Sequence, residues 1–376
     1  MSQPNSIPLV DVSGSIRERG RQHGEGARER VLGSVALYTE QLGDIGFSKT
    51  EVDALVEEFL PRMEDWAPDL IEEMRGIAEG AGCGLHDVAL VNARTEVLQL
   101  AHRQKGVSEE EPDGCTGALI LPEATRDGNL IHGQNWDWRA ECAETSIVLR
   151  IRRDDGPDIL TYTEAGGLAR SGFNSAGLAI TANYLECERD YRELGIPLPL
   201  IRRRALEAQH FAMALKVIAI TPKSGSNNMM MSTAEGYGID LECAPDEAFP
   251  LYPENGLIVH ANHWLSPTAR VKVKETGIEA TPDSLYRDAR VAGHLTPRLG
   301  KITAADLKTA LFDSFASPYA VCRPPLPNKR GNLSATVAMI VMEPALGRLE
   351  VAPLPAINDT FTTYTLEMDE GVRAAA

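Results

Sequence analysis

The chain has 376 residues, 43% of them hydrophobic and 24% charged, with a formal net charge of −17. That content suits one large layered domain or two ordinary ones and is too apolar for a disordered chain. The acidic balance argues against nucleic acid and anionic membranes as partners, because both call for a basic face.

The opening stretch, MSQPNSIPLVDVSG, lacks the basic-then-apolar order of a secretory leader. No later apolar run approaches the roughly 18 residues of a membrane helix. About the first hundred residues read as helices. Arg17, Arg19, Arg21, Arg28 and Arg30, offset by Glu18, Glu25 and Glu29, read as a solvated helix face. Ser48 and Glu51 form a capping box. Val52, Leu55, Val56, Phe59 and Leu60 follow at helical spacing, and Pro61 ends that run. Leu70, Ile71, Met74 and Ile77 make a second stripe closed by Gly80 and Gly82. A third apolar segment covers 85–100. Residues 108–114 (SEEEPDG), acidic and holding Pro and Gly, predict an exposed loop. Strands follow: TGALIL and GNLIHGQNW around the turn Asp127-Gly128-Asn129, then SIVLRI, ILTYT, GLAITAN, NNMMMS, GYGIDLE, GLIVHAN, ATVAMIVM, RLEVA and TFTTYTL. Helices interrupt them at 198–215 and 303–315, the second with Thr303 as its cap. Many strands with segregated helices predict packed sheets covered by helices.

Chemistry gathers at Asp113-Gly114-Cys115-Thr116. A Cys opening a strand after a flexible loop sits where a backbone cut frees its amine. The thiol attacks the Gly114 carbonyl, an N-to-S shift gives a thioester, and water releases it. Gly114 has no Cβ to block that attack. The freed amine, with a pKa of roughly 7.7–8.0, can then act as base for its own thiol. Taken alone, a Cys beside a Gly is more often a small core residue. Asp137, in Gln134-Asn135-Trp136-Asp137, lies one hairpin further on, which sets its carboxylate beside the cysteine amine; the plainer reading is a polar strand end. Asn174, Asn183 and Asn262 are neutral amides suited to oxyanion donation, although an Asn in a turn is commoner. Arg323 is a candidate for gripping a carboxylate or buttressing Asp137, against a surface Arg before a Pro-rich loop. His260 and His263 fall on opposite faces of a strand and lack partners at metal-ligand spacing, so neither a metal nor a cofactor is expected. The six cysteines form no CxxC pair, which predicts reduced thiols and a cytoplasmic protein. Neither a GxxxxGK[ST] loop nor a GxSxG elbow occurs.

In order, these pieces resemble one family over nearly the whole chain: the acyl-coenzyme A:6-aminopenicillanic acid acyltransferase family of cysteine N-terminal-nucleophile hydrolases. The resemblance rests on Gly20, His23 and Gly24, then MRGIAEGAG, VNARTE, DGCT, GQNWDW, TEAGG, GFNSAGLAI, VHANH and VCR. It implies an α+β, four-layer αββα fold with two antiparallel sheets between helices. It implies cleavage between Gly114 and Cys115 into a mostly helical segment, 1–114, and a strand-rich catalytic segment, 115–376, that stay together as one domain. Cys115 is then the nucleophile, Asp137 the carboxylate near its amine, Asn262 an oxyanion donor and Arg323 the supporting arginine. Asn183 matches, more loosely, an oxyanion asparagine of the penicillin V acylase and bile-salt hydrolase relatives. Gly117, Trp138, Pro324, Pro325 and Pro327 depart from the fungal penicillin enzymes, so penicillin specificity is not carried over.

The expected activity is hydrolysis of a linear amide of a small N-acyl molecule. Alternatives are transfer from an acyl-coenzyme A to an amine such as 6-aminopenicillanate, a β-alanyl-amine hydrolase, and an unprocessed, non-catalytic binding protein. Expected partners are the small amide and the chain's own cleaved segment, with assembly of identical copies left open. The acidic composition favours a substrate carrying an ammonium group.

Overall fold

In the computed structural model, which describes residues 6–106, 114–327 and 333–373, period-two alternation sorts the central strand residues onto two faces. Ala118 and Ile120 of the strand Thr116–Ile120 point one way. With Ile131 they join Val291, Leu295, Leu307 and Leu311 of the helices Ser284–Leu295 and Ala304–Leu311 in one core. Leu119 points the other way and packs on Met230 of a second sheet. The two sheets also meet through hydrogen bonds. His132 lies 3.0 Å from the Ser232 hydroxyl and 2.8 Å from that of Thr181. Gln134 donates to Asn183 Oδ1 at 2.7 Å and accepts from the Ser171 hydroxyl at 2.8 Å.

Among the described residues, the first sheet runs Leu9–Val12, Ser146–Ile151, Ile159–Glu164, Ser171–Asn174, Leu178–Tyr184, Asn227–Thr233, Tyr237–Cys243, Ala248–Leu251. Its pairs are antiparallel except at one edge, where Leu9–Val12 lies parallel to Ser146–Ile151. The second sheet runs Leu257–His260, Thr116–Ile120, Ile131–Arg139, Leu333–Glu343, Arg348–Pro353, Thr362–Thr365, all antiparallel, with Leu326–Pro327 added beside Leu333–Glu343. Helices from the N-terminal segment, together with Leu198–Leu206 and Phe211–Ile220, cover the first sheet. The order helix, sheet, sheet, helix is the one the sequence predicts.

Several boundaries differ for local reasons. Ser48 and Glu51 do close a capping box on Lys49–Glu57. Pro61 starts a helix, Leu60–Trp66, because a first-turn position asks for no N–H. Gly82, at φ 75°, ends Pro68–Ala81, whereas Gly80 stays inside it. The reason is close packing. A Cβ on Gly20 or Gly24 would strike the carbonyl of Glu73 or Ile77, and one on Gly76 or Gly80 that of Arg17 or Arg21. Four glycines thus let the helices Ile16–Gly26 and Pro68–Ala81 touch backbone to backbone. Segment 85–100 breaks at Ala93 into Leu85–Asn92 and Arg94–Lys105, and 198–215 divides into two helices. Arg17 and Arg21 are exposed and ion-paired, as a solvated face should be, but Arg19 is buried and donates to the Gly14 carbonyl. The acidic stretch 108–113 lies outside the described residues. Among the described residues no helix is long and apolar enough to cross a membrane.

Candidate active site

The strand Thr116–Ile120 is paired on both edges. Thr116 faces Asn135 on one side, and Gly117 faces His260 on the other. Carrying both registers toward the start of the strand sets Gly114 opposite Asp137 and Asn262 opposite Cys115. Residues directly opposite share a face, and successive residues alternate. Asp137 therefore stands beside Gly114, one residue short of Cys115, and its side chain is on the other face of the sheet from the cysteine. Cys115 itself is buried.

The face holding Asp137 is a dense ionic lattice. Arg287, fully buried, reaches from the helix Ser284–Leu295 and donates through Nη1 to the carbonyls of Gly114 at 3.2 Å and Cys115 at 2.6 Å, and to the Thr116 hydroxyl at 2.8 Å. Its Nη2 donates to Asn262 Oδ1 at 2.7 Å and its Nε to Asp283 at 2.7 Å. Arg323 pairs with the same Asp283 and lies 3.3 Å from Asp137. A Cβ on Gly114 would stand 2.5 Å from the Arg323 guanidinium, so a larger residue there would displace Arg323. Arg323 is held in turn by Thr336, which also donates to Asp137 at 2.6 Å. Burial pushes the Asp137 carboxyl up to about 7, against the pull of Arg323 and Arg287.

The two asparagines are spent differently. Asn262 accepts from Arg287, and its Nδ2 donates to the Tyr184 carbonyl at 2.8 Å, leaving one of two hydrogens uncommitted among the described residues. Asn183 donates both, to the carbonyls of His260 at 3.0 Å and Ala261 at 3.1 Å. Asn174 caps its own turn, accepting from Leu178 and donating to Leu206 and Ala208.

The face holding Cys115 opens on a narrow pocket with about 30 Å³ of water-accessible space, room for about two waters. Arg94, Arg170 and Arg202 line it, with Glu96, Glu164 and Tyr184. The chain's acidic balance does not extend here, because net charge says nothing about where charges gather. The motifs VNARTE and TEAGG build this wall. Asn92 donates to the Gly166 carbonyl and accepts from the Leu168 N–H, His23 accepts from the Gly166 N–H, and Arg94 pairs with Glu164 at 2.9 Å. Trp138 lies under Arg94, with the guanidinium 4.7 Å from a ring centre.

Sequence reading missed Arg287, Asp283, Arg170 and Arg202. Arg202 sits in the run Arg202-Arg203-Arg204, where a helix turns each residue about 100° from the last. Arg203 pairs with Glu73 and Glu207, Arg204 with Asp69 and Glu207, and Arg202 alone lines the pocket. No local signal separates the three. None of the six cysteines forms a disulfide, and among the described residues no cluster of three or more His, Cys, Asp or Glu could hold a metal. His260 bonds Glu242 at 2.7 Å and His263 the Ser284 hydroxyl at 2.8 Å.

Residues 124–352 match the family model described as acyl-coenzyme A:6-aminopenicillanic acid acyl-transferase. Asp137, Asn183, Asn262 and Arg323 fall inside that span, and Cys115 just before it. The acyl-coenzyme A:6-aminopenicillanic-acid-acyltransferase 40 kDa form of Emericella nidulans is 29% identical over 364 residues, covering 95% of each chain. Among solved structures, a mutant conjugated bile acid hydrolase from Clostridium perfringens aligns at 13% identity, 67% of this chain, 92% of that one and a TM-score of 0.47. An N-acylethanolamine-hydrolyzing acid amidase ortholog from Caenorhabditis elegans aligns at 14%, 67%, 100% and 0.44.

Proposed function

We propose, for a chain that belongs to the acyl-coenzyme A:6-aminopenicillanic acid acyl-transferase family, self-cleavage between Gly114 and Cys115 followed by cleavage of a linear amide through Cys115. Members of this kind are enzymes of the amidohydrolase and acyltransferase type, and this chain is one of them. The observation that carries the reading is Arg287 Nη1, 3.2 Å from the Gly114 oxygen. That oxygen belongs to the peptide to be cut.

Cys115 Sγ attacks the Gly114 carbonyl carbon, and the developing oxyanion gains a charged donor already in place. The C–N bond to Cys115 breaks as the thioester forms, and its nitrogen takes up the thiol proton. Water then hydrolyses the thioester. The products are a Gly114 carboxylate, left between Arg287 and Arg323, and a free Cys115 amine and thiol. Segments 1–114 and 115–376 stay associated, because one hydrophobic core draws on both.

In turnover the amine relays the proton from Sγ to the leaving amine of the substrate, and the acyl group passes to sulfur. Asp137 acts through charge at the end of the strand. Asn262 supplies its uncommitted hydrogen to the tetrahedral oxyanion, with its amide orientation set by Arg287. Asn183, with both hydrogens on the 260–261 backbone, serves here as the strut that places Asn262 rather than as a donor.

Water completes hydrolysis. The name of the Emericella relative, matched over 95% of this chain, favours a second reading in which an amine takes the acyl group from an acyl-coenzyme A thioester. Both readings share the thioester on Cys115.

The test is intact mass and N-terminal sequencing of purified protein. Two fragments are expected, the larger beginning Cys-Thr-Gly, and Cys115→Ala stays whole. A wild-type chain that remains intact and inert toward every amide, with or without a thioester donor, overturns the proposal in favour of a binding protein.

A further inference from the structure

Beyond the nucleophile, the pocket holds two cations that the reaction above does not use. Arg170 and Arg202 are 8% and 6% exposed. The Nε of each has no hydrogen-bond partner, and neither guanidinium is in an ion pair among the described residues. The Arg170 guanidinium lies over Trp136, 3.8 Å from a ring centre, which holds it in place without neutralising it. The acids of the pocket form no ion pair with either, although Glu96 lies near enough to attract Arg202. Glu164 is engaged by Arg94 and by the Tyr38 hydroxyl. Glu96 accepts from the Leu198 N–H at 3.1 Å, and burial raises its carboxyl toward the neutral form.

Holding out of water two guanidinium groups with no ion pair among the described residues is costly, and natural proteins pair such groups or use them. Both line the same pocket as Cys115. A planar fork of N–H donors matches a carboxylate. The narrow space suits a small planar anion better than a bulky diphosphate.

We infer that Arg170 and Arg202 form a carboxylate-binding subsite, so that the substrate cleaved at Cys115 carries a carboxylate close to its scissile amide. This rests on the amide-cleaving reading above and specifies its substrate. The carboxylate can sit on either side of the amide: on the acyl group, as in a glutaryl amide, or on the amine, as in an N-acylglycine. It replaces the ammonium-bearing substrate that the overall composition suggested.

The experiment is a paired panel on the processed enzyme. Glutaryl amides are compared with their methyl esters, and N-acylglycines with their amides. One arm is expected to favour the carboxylate by on the order of 10²-fold in kcat/KM, and the favoured arm names the side. Arg170→Met and Arg202→Met are each expected to remove most of that preference while leaving turnover of the neutral analogue within a few-fold. Because each substitution deletes an unpaired buried charge, Tm should hold or rise. Hydrolysis of amides with no carboxylate preference in either arm overturns the subsite and leaves the enzyme reading standing. Equal losses on charged and neutral substrates, with a lower Tm, make the arginines structural and also overturn it. If no amide is hydrolysed, the enzyme reading fails by itself, and binding decides the subsite. Glutaramate or N-acetylglycine should then raise the Tm of wild type but not of Arg202→Met, and no shift in wild type ends the proposal.

Discussion

On one side of Cys115, Arg287 and Arg323 each meet the carboxylate of Asp283, and Arg287 adds three further acceptors on the strand that carries the cysteine. On the other side, Arg170 and Arg202 are about as deeply buried and meet no carboxylate within ion-pairing distance among the described residues. In the first wall each arginine meets an acid, although Asp137 Oδ2 and Arg323 Nε, 3.3 Å apart, pair by charge without a hydrogen bond. Its arginines hold the backbone at Gly114 and Cys115 and offset each other's desolvation through shared acids. In the second wall no acid among the described residues comes within ion-pairing distance of either guanidinium, and the inferred carboxylate would fill that gap. Burial alone therefore does not tell a structural arginine from one that binds; the census of acceptors around it does.

The largest expected effect falls on the paired wall. Arg287→Met strips Asp283 of one partner and leaves three strand acceptors unanswered. It is expected to cost about 3–5 kcal/mol in denaturant unfolding and to block processing. Should it cost no more than Arg202→Met, the two walls are alike and the comparison fails. Next comes Asn262→Ala. Loss of one oxyanion donor should lower kcat by roughly 10²–10³, about 2.7–4 kcal/mol, with the chain still processed. Unchanged turnover removes Asn262 from the site.

Asp137→Asn sharpens the paired wall through pH. The folded carboxyl sits at about 7, above its ordinary 3.8, so the native chain binds a proton that the unfolded chain has released. Its contribution to stability is complete below about pH 4 and is lost as pH rises through 7. Turnover, which in the proposed mechanism draws on the Asp137 charge, should rise over the same window. Both the stability decline and the rate limb near pH 7 are expected to flatten in Asp137→Asn, read from unfolding and amide-hydrolysis rates across pH 4–8. The smallest effect belongs to the open wall. Glu96→Gln keeps the acceptor for the Leu198 N–H and should shift stability by on the order of 1 kcal/mol or less in thermal unfolding.

Much of the nucleophile side was readable in one dimension. A Cys after an acidic Pro/Gly loop, a tight turn and Asp137 one hairpin on are local patterns, and strand periodicity turns them into neighbours in space. The hairpin sets Asp137 on the strand next to the Gly114–Cys115 peptide, and the exact neighbour depends on the pairing of Thr116 with Asn135 rather than on loop length. Arg287 left no such trace. It lies on a helix that the sequence reading did not separate from its surroundings, and Arg290, three residues on, is solvent-facing and pairs with Asp313.

What the amino-acid order determined by itself was whatever depends on near neighbours along the chain. The capping boxes at Ser48 and Thr303, the alternation in Thr116–Ile120 and the placing of Cys115 just before that strand all arise within a few residues. What only the tertiary structure decided was the charge around Cys115. The chain is acidic by 17 charges, yet the pocket gathers arginines at positions 94, 170 and 202, brought together by three separate elements. Electrostatic energy depends on distance and on the acceptors within reach, and neither can be read from composition.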